Sequence, residues 1–264
     1  MPKRLDALGD RMKSYEKQET DQKFLPMIPV YARIDGRSFS KFTKGMSRPY
    51  DVDMSEAMKE TTKYLVEQTG SVTGYTQSDE ISLVFYQDNP KGDIFFAGKK
   101  QKMCSQLAAL ATAKFLQIAL EKWPDKCAKC LPAFDCRVFQ VPNETEAMNQ
   151  ILWRVQDAVK NSITMAASSV YSHKQLLNKN SKDKLDMLME KGINWNDYPQ
   201  FFKEGSFFKR HSLEVETPNG TAERTIVAEV LWDDGTRFSS LSSEGRVRFV
   251  MSSKVKLEVD LSEG

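Results

Sequence analysis

Apolar and polar positions alternate in Ile28-Pro-Val-Tyr-Ala-Arg-Ile-Asp-Gly36. Ile28, Val30, Ala32 and Ile34 fall on one face, and Tyr31, Arg33 and Asp35 on the other. This period of two predicts a strand over 28–35 that ends in an acid and a glycine. A helical period follows, with Met54, Met58, Thr61 and Leu65 sharing a face and Gly70 as a stop, so 53–69 is expected to be helix. Two short apolar runs, 71–77 and 81–86, then flank Gln77-Ser78-Asp79-Glu80, and so short a link makes them an antiparallel hairpin. Met103, Leu107, Leu110, Ala111 and Phe115 predict a helix over 100–122, ended by Pro124, and 133–141 reads as a fourth strand.

The order β-α-β-β-α-β is the split ferredoxin-like topology. Polymerase palms and nucleotide cyclases are built on it, although a fold alone assigns no function. The expectation is an α+β protein: a palm-like antiparallel sheet with helices on one face over residues 1–142, and an α+β extension over 143–264 packed on it. In the extension, Met148, Ile151, Leu152, Val155, Val159 and Ile163 predict a helix over 145–169. Ser181 is expected to cap a helix over 182–191. From 193 onward the pattern reads as β, at 201–202, 207–208, 225–231 and 246–251, with a hairpin turn at Pro218-Asn219-Gly220. Residues 5–20 read as a polar helical arm.

With 264 residues, 40% of them hydrophobic, the chain can bury a sizeable core. No run approaches the roughly 18 apolar residues of a membrane helix, and the N-terminus lacks the apolar stretch of a secretory signal. A net charge of +2 is too small to argue for nucleic-acid binding, so an RNA partner would need a local basic patch. Cys127-Ala-Lys-Cys130 has the spacing of half a zinc site, but no second such pair exists among Cys104 and Cys136. Free thiols in a reducing cytoplasm are the simpler expectation. His173 and His211, far apart, argue against a histidine metal centre, and no Gly-x-x-x-x-Gly-Lys phosphate loop is present.

The acids change the picture. In a split βαββαβ sheet the end of strand one and the turn after strand two lie side by side, which would bring Asp35 and Asp79 together. Mg²⁺ takes oxygen ligands, usually one or two carboxylates with phosphates and water. Asp35, Asp79 and the Gly36 carbonyl would suit two such ions about 3.5–4 Å apart. Acidic punctuation at strand ends gives the same letters without a metal, and the residues alone leave both readings open. The turn after Gly36 is rich in donors that could cradle a triphosphate. Lys99, Lys100 and Lys102 oppose the dipole of the helix they begin, which favours an anion there, though a solvated basic face explains them equally. Arg48, Arg137 and Arg154 are further candidates for RNA or phosphate contacts.

Arg33-Ile-Asp-Gly-Arg-Ser-Phe39, Gln77-Ser-Asp-Glu-Ile81, Phe134-Asp-Cys-Arg137, Trp153-Arg154, Ser172-His-Lys-Gln175 and Gly192-Ile-Asn-Trp-Asn196 resemble, in this order, the motifs of the tRNA-histidine guanylyltransferase family. The resemblance runs from about residue 5 to 210. It implies a nucleotidyltransferase that adds nucleotides to the 5′ end of tRNA or another structured RNA in the 3′-to-5′ direction. ATP or GTP would serve as activating and incoming nucleotides, with two Mg²⁺ ions and a homotetrameric assembly. Asp35, Gly36 and Asp79 match the metal ligands, and Glu80 the acid beside them. Gly36, Arg37, Ser38, Phe39 and Ser40 match the triphosphate loop and Ser78 its neighbour, while Lys99 and Lys102 fall near positions that contact the activating nucleotide. One departure stands out. Members that add guanosine to histidine tRNA carry His-Ile-Asn-Asn after the Trp-Arg segment, where this chain has Val159-Lys-Asn-Ser162. That places it with the guanylyltransferase-like branch, whose members repair 5′ ends by templated addition. Guanosine addition to histidine tRNA, a palm-type nucleotide cyclase and a catalytically silent RNA-binding protein are the rival readings.

Overall fold

The structure, a computed structural model, describes residues 7–217, 220–232 and 236–256. A helix with no buried residue, α1 (Ala7–Thr20), leads to β1 (Val30–Gly36), the one-turn α2 (Phe39–Phe42) and α3 (Val52–Thr69). The hairpin β2 (Thr73–Gln77) and β3 (Glu80–Phe85) precedes the long α4 (Lys100–Lys122), α5 (Pro124–Lys129) and β4 (Phe134–Gln140). Then come α6 (Glu144–Val170), α7 (His173–Leu176), α8 (Ser181–Glu190) and α9 (Gln200–Lys203). A hairpin of β5 (Ser206–Thr217) and β6 (Gly220–Glu229) is followed by α10 (Ser243–Met251) and β7 (Val255–Lys256).

The sheet order is β4-β1-β3-β2-β5-β6, with antiparallel neighbours throughout and β7 parallel to β5. The pleat explains the sequence alternation. Val30, Ala32, Ile34, Ile81, Leu83 and Phe85 form one buried cluster with residues of α3 and α4. Tyr31, Tyr75 and Val84, from the opposite face, join Ile151 and Val155 of α6 and Phe249 and Val250 of α10. The palm helices therefore occupy one face, and the C-terminal part supplies both the cover of the other and three further strands. By length and hydropathy α4 could cross a membrane; here Met103, Leu107, Ala111 and Phe115 bury against the sheet instead.

Local chemistry sets the helix ends. Asp51 caps α3 by accepting from the Met54 N–H at 3.1 Å, and Gly70 leaves it at φ 73°. The α8 cap is Asn180, not Ser181: its side chain accepts from the Asp183 N–H at 3.0 Å, and Asp183 reciprocates.

Two expectations of β structure fail. Phe201-Phe202 lies in α9, and 246–251 lies in α10, whose Ser242 accepts from the Gly245 N–H at 3.0 Å. Short apolar runs carry no period long enough to separate helix from strand. Of the expected hairpin turn, Pro218 and Asn219 lie outside the described residues. Lys209 of β5, fully buried, ties α10 to the sheet. Its Nζ donates to Thr73 Oγ1 at 2.7 Å and to the carbonyls of Phe249 at 2.6 Å, Ser252 at 2.7 Å and Val72 at 3.0 Å. Burial pushes its pKa down, against a ring of acceptors that favours the ammonium.

Candidate active site

The end of β1 and the β2–β3 turn meet as the topology requires. The Gly36 N–H donates to the Asp79 carbonyl at 3.0 Å, and Asp35 pairs across the ladder with Glu80 on one side and Asp135 on the other. The turn is a two-residue loop with Ser78 at φ 51°. The Ser78 hydroxyl donates to Asp79 Oδ1 at 3.2 Å. Burial holds Asp79 above the usual carboxylate range, and the charge of Asp35 adds to that rise. Among the described residues no basic side chain forms an ion pair with Asp35 or Asp79. Two neighbouring carboxylates without an ion-pair partner among the described residues, beside the Gly36 carbonyl, form a hard-oxygen donor set that fits Mg²⁺.

Glu80, the cross-strand partner of Asp35, projects from the same face of the sheet and is held there by arginines. Its Oε1 accepts from Arg154 Nε at 2.6 Å, and its Oε2 lies 4.0 Å from Arg33 Nε. Arg154 Nη2 also bonds Asp157 Oδ2 at 3.1 Å, and Trp153 lies under both guanidinium groups. Burial raises Glu80 and the adjoining Arg154 pulls it back down. Arg154, expected to meet RNA phosphates, is thus turned inward and buried.

After Gly36 the chain turns sharply. A Cβ on Gly36 would lie 2.4 Å from the Phe39 ring, so only glycine lets the loop fold back this closely. Phe39 anchors it among Phe134 at 4.9 Å, Phe115 at 5.2 Å and Phe42 at 5.7 Å. Ser38 sits at φ 57°. The Arg37 N–H is taken by the Ala133 carbonyl at 2.8 Å. Among the described residues the amides of Ser38, Phe39 and Ser40 have no backbone partner, as expected before and at a helix start.

A cavity of about 360 Å³ opens beside the turn, lined by Phe39, Ser40, Arg48, Ser78 and Asp79 from the palm and by Asn161, Ser162 and Phe202 from the C-terminal part. Arg48 thus lines the same cavity as Asp79. Tyr50 packs on Phe202 at 4.8 Å and Phe201 at 5.3 Å as an aromatic wall, which nothing in its sequence context revealed. Arg137 is exposed on the edge strand, 3.6 Å from Asp135. Lys99 and Lys102 are not brought to the site. They begin α4 where the Phe24 N–H meets the Gly98 carbonyl and Gln140 meets Leu25, at the Val30 end of β1. That is five strand residues from Asp35, about 17 Å.

The family model described as Thg1: tRNAHis guanylyltransferase matches residues 9–142. Among solved structures the chain is similar to a bacterial tRNA(His) guanylyltransferase (Thg1)-like protein in complex with ATP. The two are 40% identical with a TM-score of 0.78, over 92% of this chain and 98% of that one. A bacterial Thg1-like protein in complex with GTP is 35% identical with a TM-score of 0.74, over 93% and 100%. The tRNA(His) guanylyltransferase of Saccharomyces cerevisiae is 26% identical with a TM-score of 0.64, over 80% and 94%.

Proposed function

The chain belongs to the Thg1 tRNAHis guanylyltransferase family of nucleotidyltransferases, and from that premise we propose that it rebuilds truncated 5′ ends of tRNA or tRNA-like RNA, adding nucleotides 3′-to-5′ against the opposite strand. The observation that carries this reading is the neighbouring Asp35–Asp79 pair, without an ion-pair partner among the described residues, of which Asp79 lines the cavity. Its choice of templated repair over guanosine addition is supported by Val159-Lys-Asn-Ser162, of which Asn161 and Ser162 line that cavity. Greater similarity to the bacterial Thg1-like proteins than to the yeast enzyme points the same way.

A 5′-monophosphate is first activated by ATP or GTP with release of pyrophosphate, and the 3′-hydroxyl of the incoming nucleotide then attacks the activated phosphate and expels AMP or GMP. Asp35, Asp79 and the Gly36 carbonyl would hold two Mg²⁺ ions, which when bound neutralise phosphate charge and make the attacking hydroxyl more acidic. The amides of Ser38, Phe39 and Ser40 donate to triphosphate oxygens, with the Ser78 hydroxyl beside them. Arg48 adds positive charge from the cavity wall. Glu80 acts through position: locked to Arg154, it fixes the strand end that carries Asp79. Lys99 and Lys102 would reach a nucleotide only across a subunit boundary, which supports assembly as a homotetramer.

The test supplies Mg²⁺, all four nucleotides and tRNAs lacking 5′ nucleotides. Added residues are expected to follow the opposite strand. Guanosine added to histidine tRNA alone, or label recovered only in a cyclic nucleotide, would overturn the proposal.

A further inference from the structure

A second cavity, of about 590 Å³, shares the Phe201 wall with the first. It sits where β5 begins beside the end of β2, with Ser206 paired to Thr76. Lys203 and Arg237 supply two cations, Trp232 and Phe201 two ring faces, and Asn196 and Gln200 two amides. Among the described residues, Glu229 of its lining pairs with Lys59 at 3.2 Å, and Arg237 pairs with Glu204 at 3.4 Å, which leaves Lys203 as the cation without an acidic partner. Lys203 Nζ donates once, to the Asn196 carbonyl at 2.6 Å, and so retains donors. Burial and the Arg237 charge both depress its pKa, as two cations facing one space should. Trp232 is braced by Phe249 at 5.1 Å and Phe207 at 6.0 Å, and among the described residues its indole N–H has no protein partner.

Cations beside braced aromatic faces are how proteins hold unpaired nucleotides. Templated growth of a recessed 5′ end requires the opposite strand to extend, unpaired, beyond it. We propose that this second cavity holds an unpaired nucleotide of that opposite strand, its base on Trp232 and its phosphate between Lys203 and Arg237. The inference rests on the repair reading for the identity of the strand.

The test uses the full chain without Mg²⁺ or free nucleotide, so that it reads binding whether or not templated addition occurs. An RNA hairpin with a recessed 5′ end and a four-nucleotide 3′ overhang is compared with its blunt form. The overhang should tighten binding about fivefold or more, and Lys203→Ala should remove most of that gain while leaving blunt affinity unchanged. A 5-iodouridine in the overhang should cross-link to Trp232, which lines this cavity and not the first, and millimolar ATP should not compete. No preference for the overhang, an equal loss for both hairpins in Lys203→Ala, or cross-links outside this cavity would overturn the proposal. Displacement by ATP would overturn it in favour of a free nucleotide.

Discussion

Arg154 Nε lies 2.6 Å from Glu80 Oε1, a buried ion pair between residues 74 positions apart. It joins the helix that covers the sheet to the strand that begins directly after Asp79. Removing only Arg154 leaves a carboxylate buried without its counter-charge. Arg154→Ala is therefore expected to cost about 3–5 kcal/mol in stability, measured by urea unfolding. Glu80→Gln with Arg154→Gln should recover much of that loss, because neutral amides need less compensation. If both variants lose the same amount, the pair is not what holds this corner.

Stability of the metal-free protein should depend on Asp79 with a definite sign. Its pKa is raised, first by burial and then by Asp35, so the folded state binds that proton more tightly than the unfolded chain does. The stabilising contribution is full in acid and is lost as pH rises through the raised pKa. Asp79→Asn should then be more stable than wild type near neutrality, with the gap closing towards pH 4. Mg²⁺ reverses the ranking: at a hundred times its dissociation constant it adds about 2.7 kcal/mol to the wild type and little to the variant. Thermal melts across pH, with and without Mg²⁺, read both effects.

Asp35→Ala and Asp79→Ala should each slow 5′-activation and nucleotide addition by about 10³-fold or more, since one donor set serves both stages. Single-turnover assays starting from 5′-monophosphate and 5′-triphosphate RNA separate the stages. A variant that loses one and keeps the other would contradict a shared site.

Gly36→Ala drives a methyl into the Phe39 ring. The ring cannot withdraw, held as it is by Phe115 and Phe134. A destabilisation of about 1–3 kcal/mol is expected, together with a rise in nucleotide KM as the loop shifts. Unchanged KM would remove the loop from nucleotide binding.

Much of this was legible in the chain. The period of two in 28–35, the helical faces of α3 and α4 and the short acidic hairpin are local patterns, and together they specify the palm order that sets Asp35 beside Asp79. Arg154 was not legible in the same way. A Trp-Arg pair on a helix reads equally as an outward basic contact or an inward clamp, and only packing decides between them. The place of Lys99 and Lys102 was not legible for a related reason: position near a helix start says nothing about which end of the sheet that start adjoins.

By itself, then, the sequence determined the core topology, the family and the two acids, because those depend on periodicity and on residues whose chemistry is local. The tertiary structure decided the pairing of Glu80 with Arg154, the inward turn of Arg154, the helical state of 201–202 and 246–251, and the cavity shared by the two halves. Each of these depends on partners far away in the chain. A buried charge takes the orientation that finds its counter-ion, and a short apolar run takes the conformation that its caps and packing surface permit.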